Sequence, residues 1–329
     1  MSELTAAIVG LGTTGTSLGL ALKQARAEFR VLGHDRDRSR LAVASKLGAV
    51  DKTHWNLHRT VEPADLTVLA VPGSELPDLL PLLDETWKPR SLVVILTSAM
   101  QPVLALAEEH LPEQVAWVLA NPVLTGINAP VREREDLFKD VLFCLVPGRD
   151  TAPETMQVAH NLIEHLGAKP HYVDALEHDG LVAGVEHTAH LLAAAYMHAA
   201  ASGAGWSDAR KLAGRAFHQA TDSSLSPPHL QATLLANREY VSTWLTIMQR
   251  ELAEWQQLLD GEGDELLARL EDQDEARARW LQGASLQDWS EDRAPAVETS
   301  AGGVMRQMFL GRLGSRRRLP QDDGAEKER

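Results

Sequence analysis

A glycine-rich turn near the N-terminus constrains the fold more than any other stretch of the chain. A short apolar run at 6–9 leads into the pattern Gly-x-Gly-x-x-Gly, and apolar residues at helical spacing follow it. This order predicts a buried strand, a tight turn and a helix whose N-terminus binds a pyrophosphate group. The glycines permit the turn, the approach of the phosphates and close packing of the helix on the sheet. The candidate cofactor-binding residues of the turn are Gly10, Leu11, Gly12, Thr13, Thr14 and Gly15.

An acidic residue at the end of the second predicted strand supports a dinucleotide site. Asp35 follows the apolar run 29–34, close to the distance from the turn that such sites require. Its carboxylate would bind the ribose of NAD and repel the 2′-phosphate of NADP. Arg36 beside it could hold that phosphate instead, so NAD is the predicted cofactor and NADP the alternative. Val71 and Pro72, which end a later apolar strand, complete the predicted cofactor site.

Composition limits the partners and the compartment. The 329-residue chain is long enough for two domains, and its net charge of −14 argues against nucleic acid as a partner. Cys144 is the only cysteine, so no internal disulfide can form, and we expect a cytoplasmic location. We expect neither a signal peptide nor a membrane span, because no basic segment precedes the first apolar run and no run reaches roughly 18 apolar residues.

The order of the remaining elements predicts the fold class. Near-continuous apolar runs alternate with helical patterns up to residue 173, which is typical of an α/β protein with a Rossmann-type, doubly wound parallel sheet. From 175 to 281 only helical patterns occur. One of them, the alanine-rich segment 181–201, suits close helix packing across the interface of a homodimer.

We therefore predict that the chain is divided into three parts. Residues 1–173 form an NAD-binding Rossmann domain, and residues 174–283 form an all-helical substrate and dimerisation domain. Residues 284–329 form a mobile tail with a short basic amphipathic segment. That segment is expected to be a transient helix, and the alternative is a helix that docks on a membrane surface or a partner.

From Ala6 to about Leu281 the chain resembles the prephenate/arogenate dehydrogenase family of tyrosine biosynthesis. The resemblance implies an NAD(P)-dependent enzyme that forms a dimer through its helical domain and oxidatively decarboxylates prephenate or arogenate. In that reaction a hydride leaves the ring carbon that bears the hydroxyl, the hydroxyl loses its proton, and loss of carbon dioxide makes the ring aromatic. Besides the glycine-rich turn, the segments that carry the resemblance are 33–36, 46–51, 64–72, 174–179, 235–239 and 277–281.

The resemblance also implies a set of site residues, although this chain departs from the family at several of them. The family base, the histidine of a His-Pro-Met motif, corresponds to Asn121, which cannot take a proton near neutral pH. The family Gly-Ser-Val-Lys loop keeps only its serine, Ser98, and a carboxylate-binding arginine corresponds to Thr221. The family Ser-His-Leu-Pro-His segment corresponds to 186–190 and keeps both histidines. The catalytic candidates are Ser98, Asn121, His187 and His190, and the substrate-binding candidates are Arg215, His218 and Thr221.

Several alternatives remain open at this point. His187 and His190, or else His218, could supply the missing base, but the pair at 187 and 190 could also be a packing pair or, least of all, metal ligands. His178 and Asp179 are as compatible with helix capping and interdomain hydrogen bonds as with catalysis. No metal site is expected. The alternative functions are a dehydrogenase for another small acid and a non-catalytic NAD-binding dimer.

Overall fold

The protein is described by a computed structural model that covers residues 4–24, 29–149, 151–223 and 225–286. All of these residues belong to one compact unit, residues 1–289. The amphipathic segment predicted in the tail lies outside the described residues. Within the described ranges, no helix combines the length and the apolar character that crossing a membrane requires.

An eight-stranded sheet forms the first part of the structure, in the spatial order β3-β2-β1-β4-β5-β6-β7-β8. All of the apolar runs predicted as strands are strands of this sheet, which confirms the Rossmann-type architecture. The short strand β3 adds an edge that the sequence did not predict. The strands are β1 Leu4–Val9, β2 Phe29–His34, β3 Lys52–Thr53, β4 Leu66–Leu69, β5 Leu92–Leu96, β6 Ala116–Pro122, β7 Leu142–Pro147 and β8 Lys169–Tyr172.

One strand pair departs from the predicted all-parallel sheet. Strand β7 runs antiparallel to β6, and Asn121 lies opposite Cys144 in that pair, whereas every other neighbouring pair is parallel. The connection 123–141 between these strands contains no helix, so it does not form the crossover that a parallel pair needs. The carboxyl ends of β1, β4, β5 and β6 still meet at one edge of the sheet, where open α/β sheets bind ligands.

Helices cover both faces of the sheet, as the unbroken apolar strands predict. Two separate apolar cores result, one containing Leu22 and Phe143 and the other containing Leu80 and Met100. Helix α2 begins after the capping residue Asp37 and ends at Gly48, whose φ of 75° is the left-handed conformation that glycine favours. The helices of this part are α1 Thr13–Gln24, α2 Arg38–Leu47, α3 Leu57–Val61, α4 Leu76–Leu82, α5 Met100–His110 and α6 Pro153–His165.

The second part of the structure is helical throughout its described residues, as predicted. Its first helix is interrupted by one π-helical turn, Ala183–His187, which we call the π turn. Trp244 packs directly against this turn, since a Cβ on Gly184 would lie 2.3 Å from the indole ring. The helices are α7 Ala175–Val182, α8 Thr188–Ala201, α9 Trp206–Leu212, α10 Arg215–Ala220, α11 Pro227–Ala236, α12 Arg238–Asp260 and α13 Gly263–Leu286. The proposed boundary between two domains at residue 173 stays a prediction.

Candidate nucleotide and substrate site

The three glycines of the turn between β1 and α1 have different structural roles. Gly10 has a φ of 95°, and a Cβ there would lie 2.4 Å from the carbonyl oxygen of Ala70. A Cβ on Gly15 would lie 1.9 Å from the carbonyl oxygen of Gly10, so packing excludes any larger residue at both positions. A Cβ on Gly12 would point into open space, where its nearest neighbour is a guanidinium nitrogen of Arg40 at 3.9 Å. Gly12 therefore leaves the approach to the helix N-terminus free for a phosphate group, and the turn fits a dinucleotide.

Asp35 connects this turn to the end of β2. Its buried carboxylate accepts hydrogen bonds from the backbone N–H groups of Leu11, at 2.7 Å, and Asp37, at 2.8 Å. Each oxygen keeps a further acceptor position for a ribose hydroxyl. The exposed Arg36 forms an ion pair with Glu75 at 2.5 Å, so its charge is partly neutralised before any 2′-phosphate arrives. This pairing weakens the case for NADP.

Five of the predicted cofactor residues line one cleft of about 500 Å³, and residues 11–15 of the turn are not part of its lining. Gly10, Asp35, Arg36, Val71 and Pro72 all line it. The sequence did not predict two aromatic members of the lining, Trp55 after β3 and His229 on α11. The long connection between β6 and β7 also reaches the turn.

The contact from that connection is made at the first turn of α1. Glu133 accepts a hydrogen bond from the hydroxyl of Thr13 at 3.0 Å, and Arg134 donates its backbone N–H to Ser17. Thr14, beside Thr13, is half-buried. The acidic side chain of Glu133 therefore lies next to the helix N-terminus at which a dinucleotide phosphate would bind.

The catalytic candidates lie at the same edge of the sheet. Ser98 follows β5, and its hydroxyl is 3.3 Å from Nε2 of His187. Asn121, near the end of β6, places its side-chain nitrogen 3.1 Å from Nε2 of His178. Ser98 and His187 thus form one contacting pair, and Asn121 forms a second pair with His178, which the sequence did not select as catalytic. We call these four residues and Asp179 the polar cluster.

Asp179 joins the two parts of the structure at this cluster. It is 1% exposed, and its carboxylate accepts hydrogen bonds from the backbone N–H groups of Met100, at 2.7 Å, and Gln101, at 2.8 Å. These are the first amides of α5, whose own N-cap residue, Ala99, offers no side-chain acceptor. Asp179 therefore caps a helix of the sheet region from the helical region. Capping and hydrogen bonding were one of the two roles that the sequence left open for Asp179.

The same carboxylate fixes the ring of His178. Nδ1 of His178 lies 3.1 Å from a carboxylate oxygen of Asp179, and the ring is 2% exposed. Because a carboxylate only accepts, Nδ1 carries the proton, and Nε2 accepts from the amide of Asn121. Both ring nitrogens of His178 are thereby occupied within the protein.

His187 is buried and neutral. Its exposure is 0%, and burial lowers its pKa from 6.5 to about 4. Nδ1 lies 3.2 Å from the side-chain nitrogen of Asn237, which also donates to the carbonyl oxygen of Asp179. Nδ1 therefore accepts, and Nε2 carries a proton that it can donate to Ser98. His190 is half-buried, with Nδ1 3.4 Å from the hydroxyl of Ser223.

The three substrate-binding candidates lie on or just after α10. Arg215 and His218 are exposed, and the hydroxyl of Thr221 donates to the carbonyl oxygen of Phe217 at 2.8 Å. Across the described ranges, no hydrogen bond or ion pair joins any of the three to the polar cluster. Their role in binding substrate stays a prediction.

One acidic residue lies beside the histidines of this helix. Glu186, in the π turn, is exposed. Desolvation by the surrounding protein raises the pKa of Glu186, although the charges of His190 and His178 act in the opposite direction. As for metals, no group of three or more His, Cys, Asp and Glu side chains among the described residues is arranged to hold one.

Comparison with known proteins identifies the family. The model of the prephenate dehydrogenase nucleotide-binding domain matches residues 18–172, and that of the prephenate dehydrogenase dimerization domain matches residues 174–272. Prephenate dehydrogenase from Bacillus subtilis is 27% identical over 195 residues, which cover 58% of this chain and 52% of that protein. The chain therefore spans about half the length of this relative.

Two further proteins extend the comparison. NovF from Streptomyces niveus, a probable prephenate dehydrogenase, is 29% identical over 271 residues, which cover 79% of this chain and 70% of that protein. The crystal structure of prephenate dehydrogenase from A. aeolicus in complex with hydroxyphenyl propionate and NAD+ has the same fold. Its TM-score is 0.75 at 20% identity, over 85% of this chain and 99% of that one. The two family models together take in most of the chain, which belongs to the prephenate dehydrogenase family.

Proposed function

We propose that this protein is an NAD-dependent dehydrogenase of tyrosine biosynthesis that oxidatively decarboxylates prephenate or arogenate. The observation that carries the proposal is the position of the polar cluster, which shares one sheet edge with a glycine-rich turn that fits a dinucleotide. NAD, when bound, would supply the hydride acceptor. The A. aeolicus relative, which carries NAD+ and hydroxyphenyl propionate, supports the choice of cofactor and of a ring-bearing acid as substrate.

The polar cluster would bind and orient the substrate. The hydroxyl of Ser98 accepts from Nε2–H of the fully buried His187 and can donate its own proton to a substrate oxygen. The amide of Asn121, held by His178, keeps its carbonyl oxygen as an acceptor for a substrate hydroxyl. Arg215, on α10, is our proposed partner for a substrate carboxylate.

We further propose that the protein acts as a homodimer through its helical region. The matching family model describes a dimerization domain, and the helices of this region leave several large apolar side chains exposed. Such exposure is typical of a surface that binds a partner. The exposed residues are Tyr196, Met197, Leu252, Leu259, Leu267 and Trp280. The cytoplasmic location expected from the single cysteine stays a prediction.

The test is the formation of NADH by the purified full-length protein with prephenate or arogenate. We expect turnover of at least one of the two acids. Asn121→His restores the family base and is expected to increase the rate, whereas the matched control Asn161→His, on the exposed face of α6, is expected to leave it unchanged.

Binding of NAD without turnover of either acid would refute the proposed reaction. It would favour the alternative, a non-catalytic NAD-binding dimer, which the absence of a proton acceptor at Asn121 would then explain. Turnover of another small acid would instead favour a dehydrogenase with altered specificity.

A further inference from the structure

Neither the glycine-rich turn nor Asp35 accounts for the adenine of the cofactor. The turn follows β1 and fits the pyrophosphate, and Asp35 follows β2 and fits a ribose. Strand β2 lies between β1 and β3 in the sheet. A dinucleotide bound in this order therefore extends from β1 past β2, and its adenine lies on the side of the sheet that β3 occupies.

The pairing of β3 with β2 places Trp55 on that side. The two strands are parallel, and just past their pairing Nδ1 of His34 donates to the carbonyl oxygen of His54 at 3.0 Å. The next residues along the two segments are Asp35 and Trp55. These two residues therefore leave the sheet side by side, and both line the nucleotide cleft.

The backbone that carries Trp55 is also held on its other side. Asn56 caps α3, because its side-chain oxygen accepts from the backbone N–H of Arg59 at 3.1 Å. Its carbonyl oxygen accepts from the hydroxyl of Thr60 at 3.2 Å. With His54 fixed before it and Asn56 fixed after it, Trp55 presents its ring from an ordered segment, which lowers the entropy cost of binding a ligand.

The indole ring of Trp55 is in contact with a cation and is open to the cleft. The guanidinium of Arg38, the first residue of α2, lies 4.9 Å from the ring centroid. Arg38 is not part of the cleft lining, whereas Trp55 is. Trp55 is 63% exposed, more than any other tryptophan that the structure describes. A large flat ring is thus accessible in a cleft that fits a nucleotide, and a planar base is the kind of ligand that covers such a ring.

Aliphatic side chains add to the apolar surface of the cleft. Leu57 lies two residues after Trp55, and Leu79 and Leu82 come from α4 and its end. All three line the same cleft. Because an adenine ring is planar and carries no charge, aromatic and aliphatic surroundings suit it better than they suit a phosphate or a carboxylate.

We propose that Trp55 is the platform on which the adenine of NAD stacks, and that Arg38 is a positioning residue that holds the indole ring. Stacking uses the face that every base has, so Trp55 contributes affinity and does not select the base. This assignment rests on the proposed function only through its cofactor, because it concerns the adenine half of NAD and not the half that reacts.

The experiment measures the binding of NAD and of ADP-ribose to the full-length protein by calorimetry. Trp55→Ala is expected to weaken both ligands by the same factor, about 5- to 150-fold, which is the usual range for the loss of one base–aromatic stack. Trp55→Phe keeps an aromatic face and is expected to bind both ligands with intermediate affinity. The matched control Tyr172→Ala removes an exposed ring from β8, at the opposite edge of the sheet, and is expected to bind as the wild type.

Tryptophan fluorescence separates direct stacking from an indirect effect. Trp55 is one of eight tryptophans in the chain, and stacking on adenine is expected to quench its emission. ADP-ribose contains no nicotinamide, so we expect it to quench the wild type and Tyr172→Ala by the same amount. At saturation it is expected to leave the emission of Trp55→Phe unchanged, although calorimetry shows that this variant binds. Equal quenching in Trp55→Phe would overturn the assignment.

A double-mutant cycle tests the positioning role of Arg38. Arg38→Gln is expected to weaken ADP-ribose about two- to fivefold in the wild-type background, which corresponds to the loss of one exposed cation–π contact. In the Trp55→Ala background the same substitution is expected to have no measurable effect, because the ring that it holds is gone. Equal losses in both backgrounds would show that Arg38 acts through its charge and would overturn this role.

The binding data also distinguish failure of this assignment from failure of the proposed function. A Trp55→Ala protein that binds NAD and ADP-ribose as tightly as the wild type would overturn the assignment and leave the proposed function intact. A loss for NAD alone would overturn it as well, because it would place Trp55 at the nicotinamide. A wild-type protein that binds neither ligand would refute the nucleotide site, and with it both the proposed function and the assignment of Trp55.

Discussion

Replacing Asp179 by asparagine tests the junction between the two parts of the structure. The carboxylate accepts from two backbone N–H groups at the start of α5, whereas the amide of Asp179→Asn offers one acceptor oxygen and turns a donor toward the other N–H. The loss of one hydrogen bond to a charged group costs about 1.5–3 kcal/mol. The lost interaction with the helix dipole adds about 0.3–1 kcal/mol. We therefore expect the free energy of unfolding to fall by about 2–4 kcal/mol.

Urea unfolding followed by circular dichroism measures this change, with Asp272→Asn on the exposed face of α13 as the matched control. A second variant restores the cap locally. Ala99 already has the extended backbone of an N-cap residue, so Ala99→Ser in the Asp179→Asn background is expected to regain about 0.5–1 kcal/mol. If Asp179→Asn unfolds at the same urea concentration as the control, the capping argument is wrong.

Two further predictions concern the nucleotide turn and the buried histidine. Gly12→Ala places a methyl group in open space, so we expect its free energy of unfolding in urea to stay within about 0.5 kcal/mol of the wild-type value. We expect its NAD affinity to fall by about tenfold or more, because the methyl group would stand where the phosphates approach. An unchanged affinity in calorimetry would show that the phosphates do not bind at this turn. His187 stays neutral down to about pH 4 in the folded protein but takes a proton near 6.5 when unfolded, so its contribution to stability is lost as the pH falls through this window. Between pH 7 and pH 5, the free energy of unfolding measured in urea is expected to fall by about 2 kcal/mol more for the wild type than for His187→Gln. Equal decreases would mean that His187 is not buried as a neutral ring.

Local sequence patterns predicted the scaffold well. The strand, turn and helix around Gly10 depend on contacts between close neighbours, and so does the end of α2 at Gly48, so both follow from residue types alone. The direction of β7 does not, because an apolar run contains no signal for the orientation of its partner. Strand β3 has only two residues, which is too short to produce a periodic pattern.

The substrate side of the site was predicted only in part. The resemblance led to Ser98, Asn121 and His187. Ser98 contacts His187, and Asn121 contacts His178. It did not reveal which nitrogen of each histidine is free, because that depends on distant partners such as Asn237 and Asp179.

The π turn links the site to the surface proposed for dimerisation. It amounts to a one-residue insertion within a helix that continues on both sides. One added residue would rotate the rest of a regular helix by about 100°, whereas a π turn takes up that residue locally. His190 and the exposed Tyr196 both lie on α8, after the turn. A variant that lacks one residue of the turn is therefore expected to close into a regular helix, with the substrate side and the partner-facing side of α8 kept in their present phase.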